Sequence, residues 1–384
     1  METAADGALV RGQLRAISRA ASSPLIIGAV VAWLAITWAV GLRQGLLYLV
    51  GIGFGACLAA VSFGFTTGWR IWIRERDPTG FLAQFLAIGL AMLVSIPLIA
   101  AHEELSGAFA PLSVSLVIGA FIFGAAMQVA DGCGSGTLYK AGLGNGFSLA
   151  VLPGFVAGSF LGAAHLDRWL ALGSLPPVSL PQEFGVGVTL VVQLAVLGAL
   201  GAWLWRKRKR TDANWQGRGI YVAAVLIAVF GVLNLIIAGQ PWGIVYGLGL
   251  WGAKIATWFG ADLTANAYWG RAAQQLHIES SLLTDVTSVT NIGLLIGALI
   301  AANFRGLARP RPATTASAKQ WLAAIVSGLV LGYSARLAFG CNVGAYFAGI
   351  STGSLHGWVW FAAAFAGSFV GIPLRERLGL RGRA

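Results

Sequence analysis

The chain has 384 residues, of which 57% are hydrophobic and 10% are charged, and its formal net charge is +12. A soluble domain usually carries about 25% charged residues, so this composition excludes an ordinary soluble enzyme. The basic residues fall mostly between hydrophobic runs, which is the positive-inside pattern of a membrane protein and does not call for a nucleic-acid partner. Three cysteines without a C-x-x-C pair predict neither a disulfide framework nor a zinc site.

A transmembrane helix needs about 20 predominantly apolar residues. Backbone polar groups in lipid must pair within the segment, so long apolar runs are predicted to be helices rather than loops. The fold class predicted is therefore an all-α polytopic membrane protein. The predicted spans are 24–42, 46–64, 81–101, 112–130, 148–165, 185–205, 219–238, 242–259, 286–304, 320–338 and 356–374.

Charge and apolar content divide the chain into five segments. The first segment lacks the apolar core of a cleavable signal peptide, and we expect it to be cytoplasmic. The segments are a cytoplasmic N-terminal segment 1–23, a first membrane repeat 24–205, a basic cytoplasmic linker 206–218, a second membrane repeat 219–376 and a basic C-terminal tail 377–384.

Two glycine-rich, moderately polar stretches, 131–147 and 339–357, interrupt the apolar pattern. Irregular backbone at membrane depth is tolerated only where protein or a water-filled cavity surrounds it. We favour re-entrant loops that line a site, and the alternative is a pair of external loops.

The two stretches also repeat each other. Gly124 and Gly332 each stand nine residues before a cysteine, and Gly136 and Gly344 each stand three residues after it. The helices that follow carry the similar runs AGSFLG at 157–162 and AGSFVG at 366–371. Small residues at helical spacing also serve close helix packing, so composition accounts for some matches. The ordered set predicts two homologous halves, about 24–180 and 219–376.

Charge also predicts how the halves are oriented. A cytoplasmic position for 206–210 places 131–147 inside, and the basic stretch 305–319 should also lie inside. One predicted segment between 219 and 304 must then fail to cross, and the best candidate is 242–259, which glycines and Lys254 interrupt. The second cysteine loop would enter from the opposite side, as in the inverted repeats of many transporters.

Cys133 and Cys341 occupy corresponding positions in the two stretches. A lone cysteine is more often a small buried hydrophobe, but matched glycine-rich breaks favour a functional role. Glycines let successive N–H groups form an anion-binding concavity, and a thiol adds a soft, polarizable contact. We therefore predict a site for a soft anion, such as a sulfur oxyanion or a reduced sulfur or selenium species. The predicted path residues beside the cysteines are Gly132, Gly134, Gly136, Gly340 and Gly344.

Three cations lie in or near apolar segments, namely Lys140, Lys254 and Arg336. Intramembrane cations tend to be functional, although a side chain that snorkels to the interface is an equal alternative. We place Lys140 and Arg336 on the substrate path and interpret Asp131 as a loop cap or a partner of a nearby cation. The four histidines are scattered, so neither a metal site nor a cofactor is expected.

These motifs resemble the YeeE/YedE family of membrane proteins. The run DGCGSGTLYK at 131–140 with GNG at 144–146 is similar to the first family signature. The run ARLAFGCNVGAY at 335–346 with GSLHG at 353–357 is similar to the second. The resemblance implies a transporter, not an enzyme, in the bacterial inner membrane. Its characterised type takes up thiosulfate along a line of cysteines through S–H···S hydrogen bonds, often with a small cytoplasmic sulfur-carrier protein as partner.

The run SFGFT at 62–66 with Arg70 resembles the N-terminal family signature, with one departure. The family's first cysteine position falls at Gly64, and Cys57 lies seven residues earlier, about two helical turns away on a similar face. Cys57 is included among the path residues, and three roles stay open: it substitutes for that cysteine, lines the path further along or is a packing residue. The alternatives are a selenium-compound transporter, a membrane sulfurtransferase that forms a persulfide on Cys133, and a structural subunit.

Overall fold

The computed structural model describes residues 24–209, 217–304 and 316–380. Four predictions lie wholly or partly outside these ranges: the cytoplasmic segment 1–23, most of the basic linker, the basic stretch that begins at residue 305, and the end of the C-terminal tail.

The described chain is mostly helical. Nine of its helical segments are long and apolar enough to cross a membrane, so the chain is a multi-pass membrane protein. The longer helices are α1 Pro24–Ala39, α2 Leu42–Ala60, α3 Phe65–Glu75, α4 Thr79–Ala101, α5 Val114–Val129, α6 Gly134–Gly142, α7 Gly146–Ala164, α10 Val186–Arg206, α11 Gly219–Ala238, α12 Val245–Trp258, α14 Val286–Phe304, α15 Ala318–Leu337 and α17 Leu355–Arg377. The shorter ones are α8 Leu166–Leu170, α9 Leu180–Phe184, α13 Ala272–Glu279 and α16 Ala348–Ser351.

Polar caps fix where several membrane helices begin. Ser113 accepts a hydrogen bond from the Leu116 N–H at the start of α5, and Asn145 accepts one from the Ser148 N–H at the start of α7. Ser317 begins α15 with a capping box. These side chains satisfy N–H groups that have no partner inside the helix, so the apolar runs begin at defined residues.

Two predicted spans contain helices that are not among these nine long apolar segments. Helix α12 has 14 residues, or about 21 Å at 1.5 Å per residue, against a hydrocarbon layer of about 30 Å. That the segment 242–259 does not cross stays a prediction. The predicted span 24–42 contains α1, which ends at Ala39.

The loops on one side of the bundle form a small sheet that the sequence did not predict. Strand β1, Pro111–Ser113, pairs antiparallel with β2, Ser174–Pro177. Strands this short carry no readable alternation, and the pairing ties the start of α5 to the segment after α8.

The expectation that Cys57 and Gly64 share one helical face is wrong. Helix α2 ends at Ala60, and Gly64 is the N-cap of α3 after a turn in which Ser62 has a φ of 50°. Helix α3 then runs through the protein interior, where Trp69 lies 5.7 Å from the Tyr346 ring, measured between ring centroids. The break therefore places α3 beside the second cysteine stretch.

Reciprocal glycine crossings join α5 to α17 and α7 to α15, and four of them correspond between the two helix pairs. At each crossing a Cβ on the glycine would collide with a backbone carbonyl of the partner helix, so only glycine permits this approach. On the first pair, Gly124 meets Ala364 and Gly367 meets Phe121; on the second, Gly332 meets Phe155 and Gly158 meets Leu329. The contacts of the first pair correspond to those of the second, because Phe121 and Leu329 each stand twelve residues before a cysteine.

Candidate functional site

Each central cysteine is the N-cap of a short helix. Cys133 precedes α6, and Cys341 precedes the π-helix Asn342–Phe347, which continues into α16. The turn into each cap uses one left-handed residue other than glycine, Asp131 with a φ of 61° and Phe339 with a φ of 57°. The prediction of irregular glycine-rich loops is therefore wrong beyond these turns. Tertiary packing overrides the penalty of about 1 kcal/mol that glycine carries in a helix.

The two cysteine segments meet inside the protein. Cys133 is 1% exposed and Cys341 is 0% exposed. A Cβ built on Gly134 would lie 3.0 Å from the Cys341 sulfur, so the start of α6 contacts the second thiol directly. The predicted path residues Gly132 and Gly340 are buried with them.

Backbone N–H groups surround both sulfurs. The N–H groups of Val343, Gly344 and Gly134 favour negative charge on the Cys341 sulfur, so one of them comes from the opposite cysteine segment. The N–H of Gly136 favours negative charge on the Cys133 sulfur, which also lies 3.4 Å from the Ser135 hydroxyl. Donors that converge on one point stabilise negative charge, as the sequence analysis predicted for these glycines.

A buried amide stands next to the second thiol. Asn342 is 0% exposed, and neither its side-chain oxygen nor its side-chain nitrogen has a hydrogen-bond partner among the described residues. Buried polar groups are normally paired, because an unpaired one costs about 1–3 kcal/mol. This amide can therefore bind a polar ligand at Cys341.

A cavity of about 650 Å³ leads to the second cysteine segment. Its floor includes Gly340 and Gly344, and its wall includes Ile244, whose Cγ2 lies 3.2 Å from a Cβ built on Gly134. The other walls come from four segments. Ser106 lies in the loop after α4, Gln240 and Trp242 lie before α12, His277 lies on α13 and Thr287 lies at the start of α14. These walls were not predicted, because their residues form no sequence motif.

The cavity lining is mainly cationic among its charged residues. Arg336, which the sequence placed on the path, lies in the lining; its Nη2 donates to the Tyr268 hydroxyl, and its buried Nε has no partner in the described chain. Arg43 lines the same cavity. Asp285 is the lining carboxylate, and burial raises its pKa above the ordinary value.

A second set of charges lies beside the first cysteine segment. Asp131 Oδ1 lies 2.8 Å from Arg70 Nη2 and 3.2 Å from Arg375 Nη2, and Asp131 Oδ2 lies 2.7 Å from Lys140 Nζ. The interpretation of Asp131 as a partner of a nearby cation is confirmed, with three cations instead of one. Arg70 and Arg375 were missed because each stands in a basic run that reads as ordinary positive-inside charge.

Two other sequence candidates stand apart from this region. Lys254 Nζ donates to the carbonyls of Ile278 and Ser280 at the end of α13, so it ties two outer segments together. Cys57 is half-buried on α2 and does not line the cavity. In the described part of the chain, no three His, Cys, Asp or Glu side chains are grouped as metal ligands.

Comparison with known proteins places the chain in a family. A model of a sulphur transport family matches residues 60–370. A probable transporter, YedE of Escherichia coli, is 30% identical over 39% of this chain, and the match covers 36% of that relative's length. YedE of Salmonella typhimurium is also 30% identical, with 40% of its length covered. The thiosulfate transporter TsuA of Spirochaeta thermophila is 25% identical over 81% of this chain and 92% of its own length. Because the family model extends over most of the sequence, this chain belongs to the sulphur transport family, which agrees with the resemblance to YeeE/YedE proteins.

Proposed function

We propose that this protein transports a small sulfur-containing anion across a bacterial inner membrane. Thiosulfate is the substrate we favour, and the N-terminus is proposed to lie in the cytoplasm. The observation that carries the proposal is the contact between the two cysteine segments, where a Cβ built on Gly134 would lie 3.0 Å from the Cys341 sulfur. The cavity, which Arg43 and Arg336 line, reaches Gly340 and Gly344 and provides an entrance for the anion. The relatives named TsuA, which match over most of the chain, support thiosulfate as cargo.

The passage proposed runs from the cavity past Cys341 to Cys133. Converging N–H groups compensate the charge of the anion, the Asn342 amide binds an oxygen, and the two thiols offer soft contacts to its terminal sulfur. The thiols assist without forming a covalent bond, so the protein acts as a transporter and not as an enzyme. A small cytoplasmic sulfur-carrier protein is the proposed acceptor, on the family resemblance alone.

The architecture proposed for this passage is a pair of inverted repeats with re-entrant cysteine segments. The four reciprocal glycine crossings support it, since each half supplies the same two kinds of contact to the other. In such an arrangement the two segments enter from opposite faces and meet near the midplane, which places both thiols on one path.

Uptake of labelled thiosulfate by the purified chain in liposomes tests the proposal. Cys133→Ser and Cys341→Ser keep size and hydrogen bonding but remove the polarizable sulfur, and each should lower the uptake rate by at least about tenfold, which corresponds to about 1.4 kcal/mol. Cys57→Ser is the matched control, because Cys57 lies outside the cavity. Wild-type rates in both buried-cysteine variants would refute thiol-assisted passage.

Two measurements separate the remaining alternatives. Selenite that competes with labelled thiosulfate more strongly than unlabelled thiosulfate does would favour a selenium-compound transporter. A mass increase of about 32 Da on Cys133 after exposure to substrate would instead favour a sulfurtransferase that forms a persulfide.

A further inference from the structure

Two basic runs from distant parts of the chain meet at one end of the helix bundle. Two segments that are long and apolar enough to span a membrane, Leu42–Glu75 and Val186–Arg206, end there with helices α3 and α10. Arg76 is the left-handed C-cap of α3, and its carbonyl accepts a hydrogen bond from the Lys209 N–H at 3.3 Å. The backbone therefore holds Arg76 and the run 206–209 together at one surface of the membrane. We call these five residues the basic rim.

Acidic side chains do not neutralise the basic rim. None of its five cations takes part in an ion pair within the described ranges. The carboxylates nearest in sequence belong to Glu75 and Asp77, and Asp77 Oδ1 accepts hydrogen bonds from the N–H and the hydroxyl of Thr79 at the start of α4. Even with both carboxylates counted, the rim keeps a formal excess of three positive charges. The rim is therefore a surface that attracts anions.

Tryptophans fix part of the basic rim at the membrane surface. The Arg208 guanidinium lies 3.8 Å from the centroid of the Trp205 ring, and its Nη1 donates to the Trp205 carbonyl at 2.7 Å. Trp203 packs against Trp72 of α3 with the ring centroids 5.8 Å apart, which joins the two helix ends. The positive-inside tendency accounts for basic residues at this place but not for a guanidinium that is held beside an aromatic ring.

The outer face of α10 leads directly to the basic rim. Its exposed apolar residues recur at helical spacing, namely Val188, Val192, Val196 and Trp203. Gln193 and Leu197 on the other side of the helix are buried in the protein. The sequence from residue 169 to residue 205 contains no lysine or arginine, so the positive charge lies at one end of this face only. A lipid molecule beside α10 therefore meets an apolar face along its acyl chains and cations at the level of its headgroup.

We propose that the basic rim binds the headgroup of an anionic phospholipid from the surrounding bilayer, whose acyl chains lie along the outer face of α10. Guanidinium groups bind phosphate oxygens through two parallel N–H donors, and clusters of lysine and arginine next to membrane helices attract anionic lipids. A free phosphate ion meets the same cations but gains nothing from the apolar face, so the lipid is the favoured occupant. None of the rim residues lines the cavity, so this site does not depend on the transported anion.

Two variants separate the charge of the basic rim from its aromatic support. Lys207→Gln/Arg208→Gln removes two of the five cations. Trp205→Leu keeps every charge and removes the ring beside which Arg208 lies.

The matched control is Arg168→Gln/Arg271→Gln, which also removes two positive charges. Arg168 lies on α8, before α10 begins, and Arg271 pairs with Asp167 on the same short helix. The two control cations therefore lie at the other end of the α10 span.

The binding measurement is thermal stabilisation of the purified full-length chain in a neutral detergent, titrated with phosphatidylglycerol, phosphatidylcholine or glycerol phosphate. Detergent removes any effect of the variants on orientation in the cell membrane. Phosphatidylglycerol should stabilise wild type and the control at a concentration at least about tenfold lower than phosphatidylcholine does. Lys207→Gln/Arg208→Gln should need at least about tenfold more phosphatidylglycerol, because each cation near a membrane surface contributes roughly fivefold in affinity. Trp205→Leu should need an intermediate concentration.

Equal binding of phosphatidylglycerol by wild type and Lys207→Gln/Arg208→Gln overturns the proposal. Stabilisation by glycerol phosphate at the same concentration as phosphatidylglycerol also overturns it, because the acyl chains would then contribute nothing. If the double variant does not fold, Lys207→Gln alone decides: a roughly fivefold loss supports the site, and no loss overturns it. None of these measurements involves transport, so their outcome is independent of the uptake assay that tests the proposed function.

Discussion

The substitution Gly134→Ala tests the contact between the two cysteine segments with a single methyl group. The added Cβ would lie 3.0 Å from the Cys341 sulfur and 3.2 Å from the Ile244 Cγ2. Comfortable contacts of this kind are about 3.5–4.0 Å, so one of the three groups must move by roughly 0.5–1 Å. The methyl group therefore intrudes at the point where the proposed path passes between the segments.

The substitution Gly134→Ala should lower the transport rate more than it lowers the stability of the fold. Overpacking costs about 1–3 kcal/mol, while alanine is favoured over glycine in a helix by about 1 kcal/mol, so folding should change by about 0–2 kcal/mol. At the narrow point of the path nothing offsets the overpacking. The uptake rate should fall by roughly fivefold to a hundredfold per folded protein.

The assay is the initial rate of labelled thiosulfate uptake at equal amounts of folded, reconstituted protein. Gly198→Ala on α10 is the matched control, because nothing lies within 4 Å of its new Cβ. Gly136→Ala places its Cβ 3.7 Å from the Cys133 sulfur, an ordinary contact, and should have a smaller effect than Gly134→Ala. Equal uptake by Gly134→Ala and the Gly198→Ala control would refute the reasoning.

Three further predictions concern stability and charge. Gly158→Val should destabilise the fold by about 1–3 kcal/mol or more in thermal unfolding, because its side chain meets the Leu329 carbonyl; an unchanged midpoint would contradict the crossing. Burial raises the pKa of Asp285, so the folded state binds a proton at this carboxyl more readily than the unfolded state does. Wild type should therefore gain stability relative to Asp285→Asn as pH falls from about 7 toward about 4. Parallel pH profiles of the two proteins would contradict a raised pKa. Lys254→Met should lower stability by about 1–3 kcal/mol, because it leaves the Ile278 carbonyl without its donor, and should leave the KM for thiosulfate unchanged; a raised KM would assign Lys254 to substrate binding.

The sequence predicted the membrane helices because their signal is local. A continuous apolar run in lipid must form a helix, because its backbone groups have to pair within the segment. The interruption around Lys254 indicated a segment whose helix has only 14 residues in the structure. The duplicated Gly-Cys motif also identified the two segments that meet at the centre. Neither feature needed knowledge of which helices are neighbours.

The charged part of the site was harder to predict, because it depends on packing between distant elements. Arg70 and Asp131 are 61 residues apart in the chain, and Arg375 joins them from the last helix. Each arginine alone looks like interfacial charge. The prediction for Cys57 was wrong in geometry for a related reason, since apolar composition did not reveal the turn between Ala60 and Phe65.

The reciprocal glycine crossings constrain how the gene can change. Each crossing consists of a glycine from one half and a carbonyl from the other, so neither half contains a complete interface. A truncated half would leave strips of bare backbone without the helix that covers them, and such a fragment is expected to dimerise or be degraded. Insertions that shift one helix by a single residue would misalign two crossings at once, so viable length changes are confined to the connecting loops.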